Sequence, residues 1–253
     1  MIDLHSHILR GVDDGARSLE DSIDIARAAV ADGITAMAAT PHVRDDWPTR
    51  PDVMEERLAE LRAALEREGV PLEVHGGGEI AIDWLGRLSD EDLRRFCLGG
   101  TQYLLVETPY YGWPGVLTDL LLSLVERGFR PVLAHPERNM EIQLRPERLL
   151  PLVDAGVLVQ VTAASVDGRI GRRAQDCGRG LVWAGLGHLL ASDAHHASVR
   201  AVGMAAAASA VGGGTLGHWL TVDVPAAILA GGEISPRPGQ PRRGGWVKRL
   251  LRS

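Results

Sequence analysis

Cysteine is scarce: Cys97 and Cys177 are the only two in 253 residues, and they stand far apart in unrelated contexts. Neither a disulfide framework nor a Cys-x-x-Cys zinc site is suggested, and both thiols read as reduced structural residues. Tyr103 and Trp183 fall where a Cys-x5-Arg phosphate loop would need its arginine, which excludes a cysteine nucleophile of that type. Aromatic residues reach only 4%, too few for a base-stacking platform. No run approaches 18 apolar residues, and no charged start with an apolar stretch and cleavage site precedes "MIDLHSH", so a cytoplasmic location is expected. A net charge of −6 and a pI near 5.8 argue against general nucleic-acid binding.

What the chain has is Ala, Leu and Val in quantity, 45% hydrophobic residues overall, and enough length for one sizeable core. Ser18 is placed to cap a helix striped by Leu19, Ile23, Ala26 and Val30 and stopped by Gly33. "MEERLAELRAALEREG" spaces Met54, Leu58, Leu61 and Leu65 on one helical face. Further helices are expected in "VLTDLLLSLVERG" and in "PERLLPLVDAG", the latter running from Pro146 to Gly156. Between these lie seven short apolar strands: "MIDLHSH", ended by His5 and His7, "ITAMAAT", "LEVHGGGE", "YLLVE", "PVLAH", "VLVQVT" and "HLLASD". Strands recurring with helices between them imply a parallel sheet, closed as a barrel or open and doubly wound. The absence of a Gly-rich phosphate fingerprint after the first strand favours the barrel.

In "LHSH", residues two apart on a strand point the same way, so His5 and His7 project together and make half a metal site. The bland alternative is two hydrogen-bonded histidines near a terminus. Other polar residues weigh against it, because they too sit at strand ends: His42, Glu79, Glu107, His135, Asp193 and His195. Strand six offers only Thr162 there. In a parallel barrel all such ends open on one face, where this many imidazoles and carboxylates require neutralisation by cations. Five imidazoles and several carboxylates exceed one closed zinc site, so two or three ions are expected. A nitrogen and oxygen donor set without thiolate suits Mn, Fe or Zn. "GVDDG" adds Asp13 and Asp14, and spacing alone leaves open which one points inward.

The stretch from residue 234 to 253 changes character, being rich in Pro, Gly and Arg. Its six basic residues, taken off the net −6, leave −12 on residues 1–233. Residues 1–233 therefore read as one domain and 234–253 as a basic tail, either disordered or, if its last ten residues turn helical, able to touch an anionic membrane surface or an acidic partner.

Taken together and in order, "MIDLHSH", "GVDDG", "ATPH", "GGGEI", "LLVE", "AHPER" and "SDAH" resemble the polymerase-and-histidinol-phosphatase (PHP) metal-dependent phosphoesterases. The opening "DLHSHILRGVDDGARS" is most similar to the manganese-dependent protein-tyrosine phosphatases of bacterial capsule and exopolysaccharide biosynthesis. That resemblance implies a distorted (β/α)7 TIM-like barrel with a three-metal site, Mn²⁺ first among the candidate ions. It implies one ion on His5, His7, Glu79 and Asp193, a second on Glu79, Glu107 and His135, and a third on Asp14, His42 and His195. It also implies that Arg138 and Arg200 hold the phosphate, and that a metal-bridging water attacks phosphorus in line. Arg10 stands where the family's first motif often has proline, a change that removes no implied ligand. The implied partner is a membrane-associated tyrosine kinase bearing phosphotyrosine.

Two rival readings accompany this one. A small-molecule phosphatase of the histidinol-phosphate type would use the same site on an alkyl ester, and a regulatory module would hold metal without turnover. His75, His188, His196 and His218 lie off the motif ends and read as structural or surface residues.

Overall fold

From Ile2 to Ala191 the chain lays down a ring of parallel strands. The computed structural model describes residues 1–198 and 201–239, so Arg200 and most of the expected tail, from residue 240 on, lie outside the described residues. The strands are β1 (Ile2–Ser6), β2 (Ala36–Ala39), β3 (His42–Arg44), β4 (Trp47–Pro48), β5 (Glu73–Gly76), β6 (Glu79–Ala81), β7 (Tyr103–Glu107), β8 (Arg130–Ala134), β9 (Leu158–Thr162) and β10 (Leu189–Ala191). β1 pairs with β2 and β2 with β5; β3 pairs with β6, and β6 to β10 follow in order, all parallel. Only β4, a two-residue return from β3, is antiparallel.

Two of the seven expected strands are bent. β2 gives way to β3 across Thr40 and Pro41, and β5 to β6 across Gly77 and Gly78, while the partnership of the two paths is kept on both sides. Pro41 has no N–H to give to a ladder. Gly78 passes so close to Phe96 that a Cβ would lie 2.6 Å from its ring. His42 and Glu79, expected to trail their strands, thus open new strand segments and sit opposite each other. The ring closes where Asp193 N donates to His5 O at 2.8 Å and His7 N to Ala194 O at 2.9 Å. Seven strand paths therefore form a distorted (β/α)7 barrel, and strands β7 and β9, buried along their whole length, read as the apolar runs such burial demands.

The helices cover the outside. Ser18 and Asp21 form a reciprocal capping box at the head of helix Leu19–Ala31, an arrangement whose loss costs about 1 kcal/mol. Helix Pro51–Arg67 buries Met54, Leu58, Leu61 and Leu65, as their spacing requires. The helix expected from Pro146 to Gly156 is instead two pieces, a 3-10 turn over Pro146–Leu149 and an α-helical turn over Leu150–Asp154. Pro151, lacking an N–H, sits in the first turn of the second piece and interrupts the ladder.

The amino ends of β7 and β8 are sealed by the chain's later residues. Gln102 Nε2 donates to Gly231 O at 3.0 Å, Tyr103 OH to Gly232 O at 2.6 Å, and Trp219 Nε1 to Ser235 O at 3.0 Å. Chemistry is thereby left to the opposite, carboxyl end. Among the described residues no helix is long and apolar enough to cross a membrane.

Candidate metal centre

His5 projects from the end of β1, His7 and Asp14 from the loop after it, His42 from the head of β3, and Glu79 from the head of β6. Glu107 closes β7, His135 follows β8, and Asp193 and His195 follow β10. The nine side chains form one continuous cluster of overlapping groups: His5, His7 and Asp193; His5, Glu79 and His135; His42, Glu79 and Glu107; and His7, Asp14, His42 and His195. Within each group the candidate ligating atoms lie within 4.8 Å of one another, and every residue except Asp14 is buried. Glu79 is the hub. Its Oε1 lies 2.7 Å from His135 Nε2, and its Oε2 lies 2.8 Å from His42 Nδ1 and 3.3 Å from His5 Nε2.

Several of these contacts are close without being hydrogen bonds. His42 Nδ1 and Glu79 Oε2, both fully buried, are 2.8 Å apart yet lack hydrogen-bond alignment, and His7 Nε2 lies 3.2 Å from Asp193 Oδ1. Donor atoms that converge on shared space rather than on each other are what bridging cations need. The outward ring nitrogens are already committed. His5 Nδ1 donates to Gln160 Oε1 at 3.0 Å, His7 Nδ1 to Asp13 Oδ2 at 2.7 Å, and His195 Nδ1 to the Asp193 carbonyl at 3.0 Å. Each such bond fixes the tautomer that turns a bare Nε2 toward the cluster. The donor set therefore fits divalent metal ions, which His5, His7, Asp14, His42, Glu79, Glu107, His135, Asp193 and His195 could hold.

The "GVDDG" ambiguity is resolved in space. Asp13 is turned away, accepting from His7 Nδ1, Gly15 N and His42 N, whereas Asp14 Oδ1 lies 3.5 Å from His42 Nε2 and 3.3 Å from His195 Nε2. Gly15 is required by contact: a Cβ there would lie 2.1 Å from His7 O.

Electrostatics follow from burial and crowding. Burial, then the charge of Glu79, pushes the Glu107 carboxyl up to about 8. Burial would also raise Glu79, but His5 and His42, when protonated in the absence of metal, hold it well below the usual carboxylate range. Asp193 is likewise kept low against burial by Arg138, whose Nη2 lies 2.6 Å from Asp193 Oδ2. Burial and the Arg138 charge push His135 down to about 4. His135 and Asp193 are the only non-glycine residues with positive φ among those described, at 36° and 53°. Strain concentrated at two members of the cluster is the pattern of a functional site held in place by its surroundings.

Some supporting residues are not apparent from sequence pattern. Gln160, alternating with Thr162 on β9, is a buried amide in an apolar strand; that incongruity is its only signal. Glu137 accepts from Thr162 N at 2.9 Å and Ser165 Oγ at 2.6 Å, tying the turn that carries Arg138 to the next strand and helix. Tyr110 stacks parallel to His135, ring centroids 6.2 Å apart. Outside the cluster, His188 Nδ1 accepts from Val159 N, and His75 and His218 pair with Glu73 and Asp223.

A parallel barrel whose carboxyl rim gathers imidazoles and carboxylates around shared space has the architecture of a metal-dependent hydrolase. Comparison with known proteins narrows this. The model of the family described as capsular polysaccharide synthesis, CpsB/CapC, matches residues 1–218, and the chain belongs to that family. It is 39% identical over 203 residues to tyrosine-protein phosphatase YwqE of Bacillus subtilis, covering 79% of each chain. It is 30% identical over 203 residues to a putative tyrosine-protein phosphatase CapC of Staphylococcus aureus, again covering 79% of each. A solved structure from a study of YwqE from Bacillus subtilis and CpsB from Streptococcus pneumoniae, described as unique metal-dependent tyrosine phosphatases, superposes with a TM-score of 0.85. That match is at 36% identity and covers 95% of this chain and 99% of the other.

Proposed function

We propose that the protein is a metal-dependent protein-tyrosine phosphatase that hydrolyses phosphotyrosine on a membrane-associated tyrosine kinase of polysaccharide biosynthesis. The observation that carries the reading is the convergence of nine candidate ligands at one barrel rim with the Arg138 guanidinium beside them. The relatives named as tyrosine-protein phosphatases support it. Mn²⁺ is the proposed ion, in two or three copies, with Fe or Zn as substitutes.

Bound cations supply an acidified water and neutralise phosphoryl oxygens. The chain's own part is orientation and charge. Gln160 and Asp13 hold the His5 and His7 rings in the tautomers described, and Glu79 serves several groups at once. Arg138, only 11% exposed and already positioned by Asp193, binds phosphoryl oxygens by charge-assisted hydrogen bonds. Arg200, outside the described residues, is proposed from its motif to do the same. Tyr110 offers an aromatic wall beside Arg138 and His135 for the substrate's phenyl ring. A phenol, with a pKa of about 10, departs far more readily than an alkyl alcohol, so the site needs no strong general acid.

In the same reading residues 1–233 form the catalytic domain of a cytoplasmic protein, and the basic segment 234–253 contacts the anionic membrane surface near the kinase. The test compares hydrolysis of phosphotyrosine peptide, phosphoserine peptide and histidinol phosphate, before and after chelation and after Mn²⁺ return. Phosphotyrosine turnover that vanishes on chelation and revives with Mn²⁺ is expected. Preference for histidinol phosphate, or a metal-loaded protein inert to all three, would overturn the reading.

A further inference from the structure

Beside the metal centre lies an open hollow of about 550 Å³, of which the proposed chemistry uses only the wall formed by Arg138 and Tyr110. Its volume falls in the range of ligand clefts, about 300–1,000 Å³. Arg138 and Tyr110 form its inner wall, so it is continuous with the catalytic rim. Gln143, Ile170, Gly171, Arg172, Arg173 and Ala174 line the remainder, and among the described residues no carboxylate does. Three arginines thus line one hollow in a chain whose net charge is −6.

Exposure on this side is unusual as well. Among the described residues the exposed large hydrophobic side chains are Tyr110, Tyr111, Val116, Met140, Leu144 and Ile170. All six lie in the segments that follow β7, β8 and β9, the same segments that build the hollow. Exposed apolar side chains on the segments that build a hollow, Tyr110 and Ile170 lining it beside arginines, suit another polypeptide.

We infer that this hollow seats the stretch of substrate chain flanking the phosphotyrosine, and that Arg172 and Arg173 select carboxylate side chains there. The inference rests on the phosphatase reading and deepens it. Arg172 is 91% exposed on its side chain, and its one acidic neighbour, Asp176, is 3.8 Å away on the same helix, a weak pair that an incoming carboxylate can displace. Exposed pairs of this kind contribute little each, so together they give a preference of about tenfold rather than an absolute requirement. Their effect belongs to encounter and KM, and it fades as salt screens it.

The experiment measures kcat/KM of the full Mn²⁺-loaded protein on p-nitrophenyl phosphate and on phosphotyrosine peptides matched except for glutamate, glutamine or lysine beside the phosphotyrosine. The wild type is expected to favour the glutamate peptide over the glutamine peptide by about tenfold at low ionic strength, and less at high. The double variant Arg172→Glu/Arg173→Glu should reverse the order and favour the lysine peptide; Arg172→Lys/Arg173→Lys should retain the wild-type order. Reversal is a gain that a merely damaged fold does not produce. Equal turnover of the three peptides by an enzyme active on p-nitrophenyl phosphate would overturn this inference alone, as would an unchanged order in the charge-reversed variant. No turnover of any substrate would overturn the phosphatase reading and this inference with it.

Discussion

Arg138 and Asp193 meet at 2.6 Å beneath the barrel rim, a guanidinium and a carboxylate that come from the ends of two different strands. The pair sets Arg138 beside the metal cluster and gives Asp193 a positive neighbour independent of any ion. Replacing Arg138 with Gln should therefore lower kcat on an aryl phosphate about 10²- to 10³-fold. Arg138→Lys should recover only part of this, because an ammonium cannot reproduce the planar fork. Steady-state kinetics beside elemental analysis checks the prediction: metal content should stay near the wild-type level while turnover falls.

Gly15→Ala should act on the metal centre without touching a ligand. Its new Cβ would lie 2.1 Å from His7 O, so the segment carrying His7 must shift. A destabilisation of about 1–3 kcal/mol is expected, read as a melting temperature lower by several degrees, together with reduced metal content. Gly86→Ala is the control, since a Cβ there meets nothing within 4 Å, and it should leave both measurements unchanged.

Removal of metal should cost stability as well as activity. The cluster buries His5, Glu79, His135 and Asp193 together, and ions that bind the folded chain alone stabilise it by mass action. Chelation should lower the melting temperature, and titrating Mn²⁺ back should raise it progressively with free metal concentration. A melting temperature indifferent to metal would contradict a polynuclear centre at this rim.

His188 should make part of the stability depend on pH. Burial pushes it from an ordinary 6.5 down to about 4, so the folded chain keeps this imidazole neutral where the unfolded chain protonates it. Its contribution is complete above 6.5 and is lost as pH falls from 6.5 toward 4, by at most about 3 kcal/mol. Denaturant unfolding of the wild type and of His188→Asn should converge in stability over that window. Parallel curves would show that His188 does not titrate as placed.

Much of the site is legible in the amino-acid sequence, for a physical reason. Parallel strands that end at one rim bring residues such as His5, His42, His135 and Asp193 together whatever their separation along the chain, so strand ends alone locate the cluster. What stays hidden depends on backbone detail. The bend at Pro41 that makes His42 open a strand, and the break at Pro151 within an amphipathic stretch, arise from missing N–H groups that apolar periodicity does not register. The split of duties between Asp13 and Asp14 is equally silent, because adjacent carboxylates differ only in which partners the turn offers them. Gln160 hides for the opposite reason, since a strand end marks position but an interior amide marks only an exception.

The seal formed at the far end of the barrel by Gln102, Tyr103 and Trp219 with residues 231–235 gives the molecule a division of labour. Catalytic speed is decided at one mouth alone, whereas endurance of the fold draws on both. Substitutions in the seal should shorten the working life of each molecule while leaving its rate intact. Durability can therefore be raised at the seal without altering reactivity at the rim.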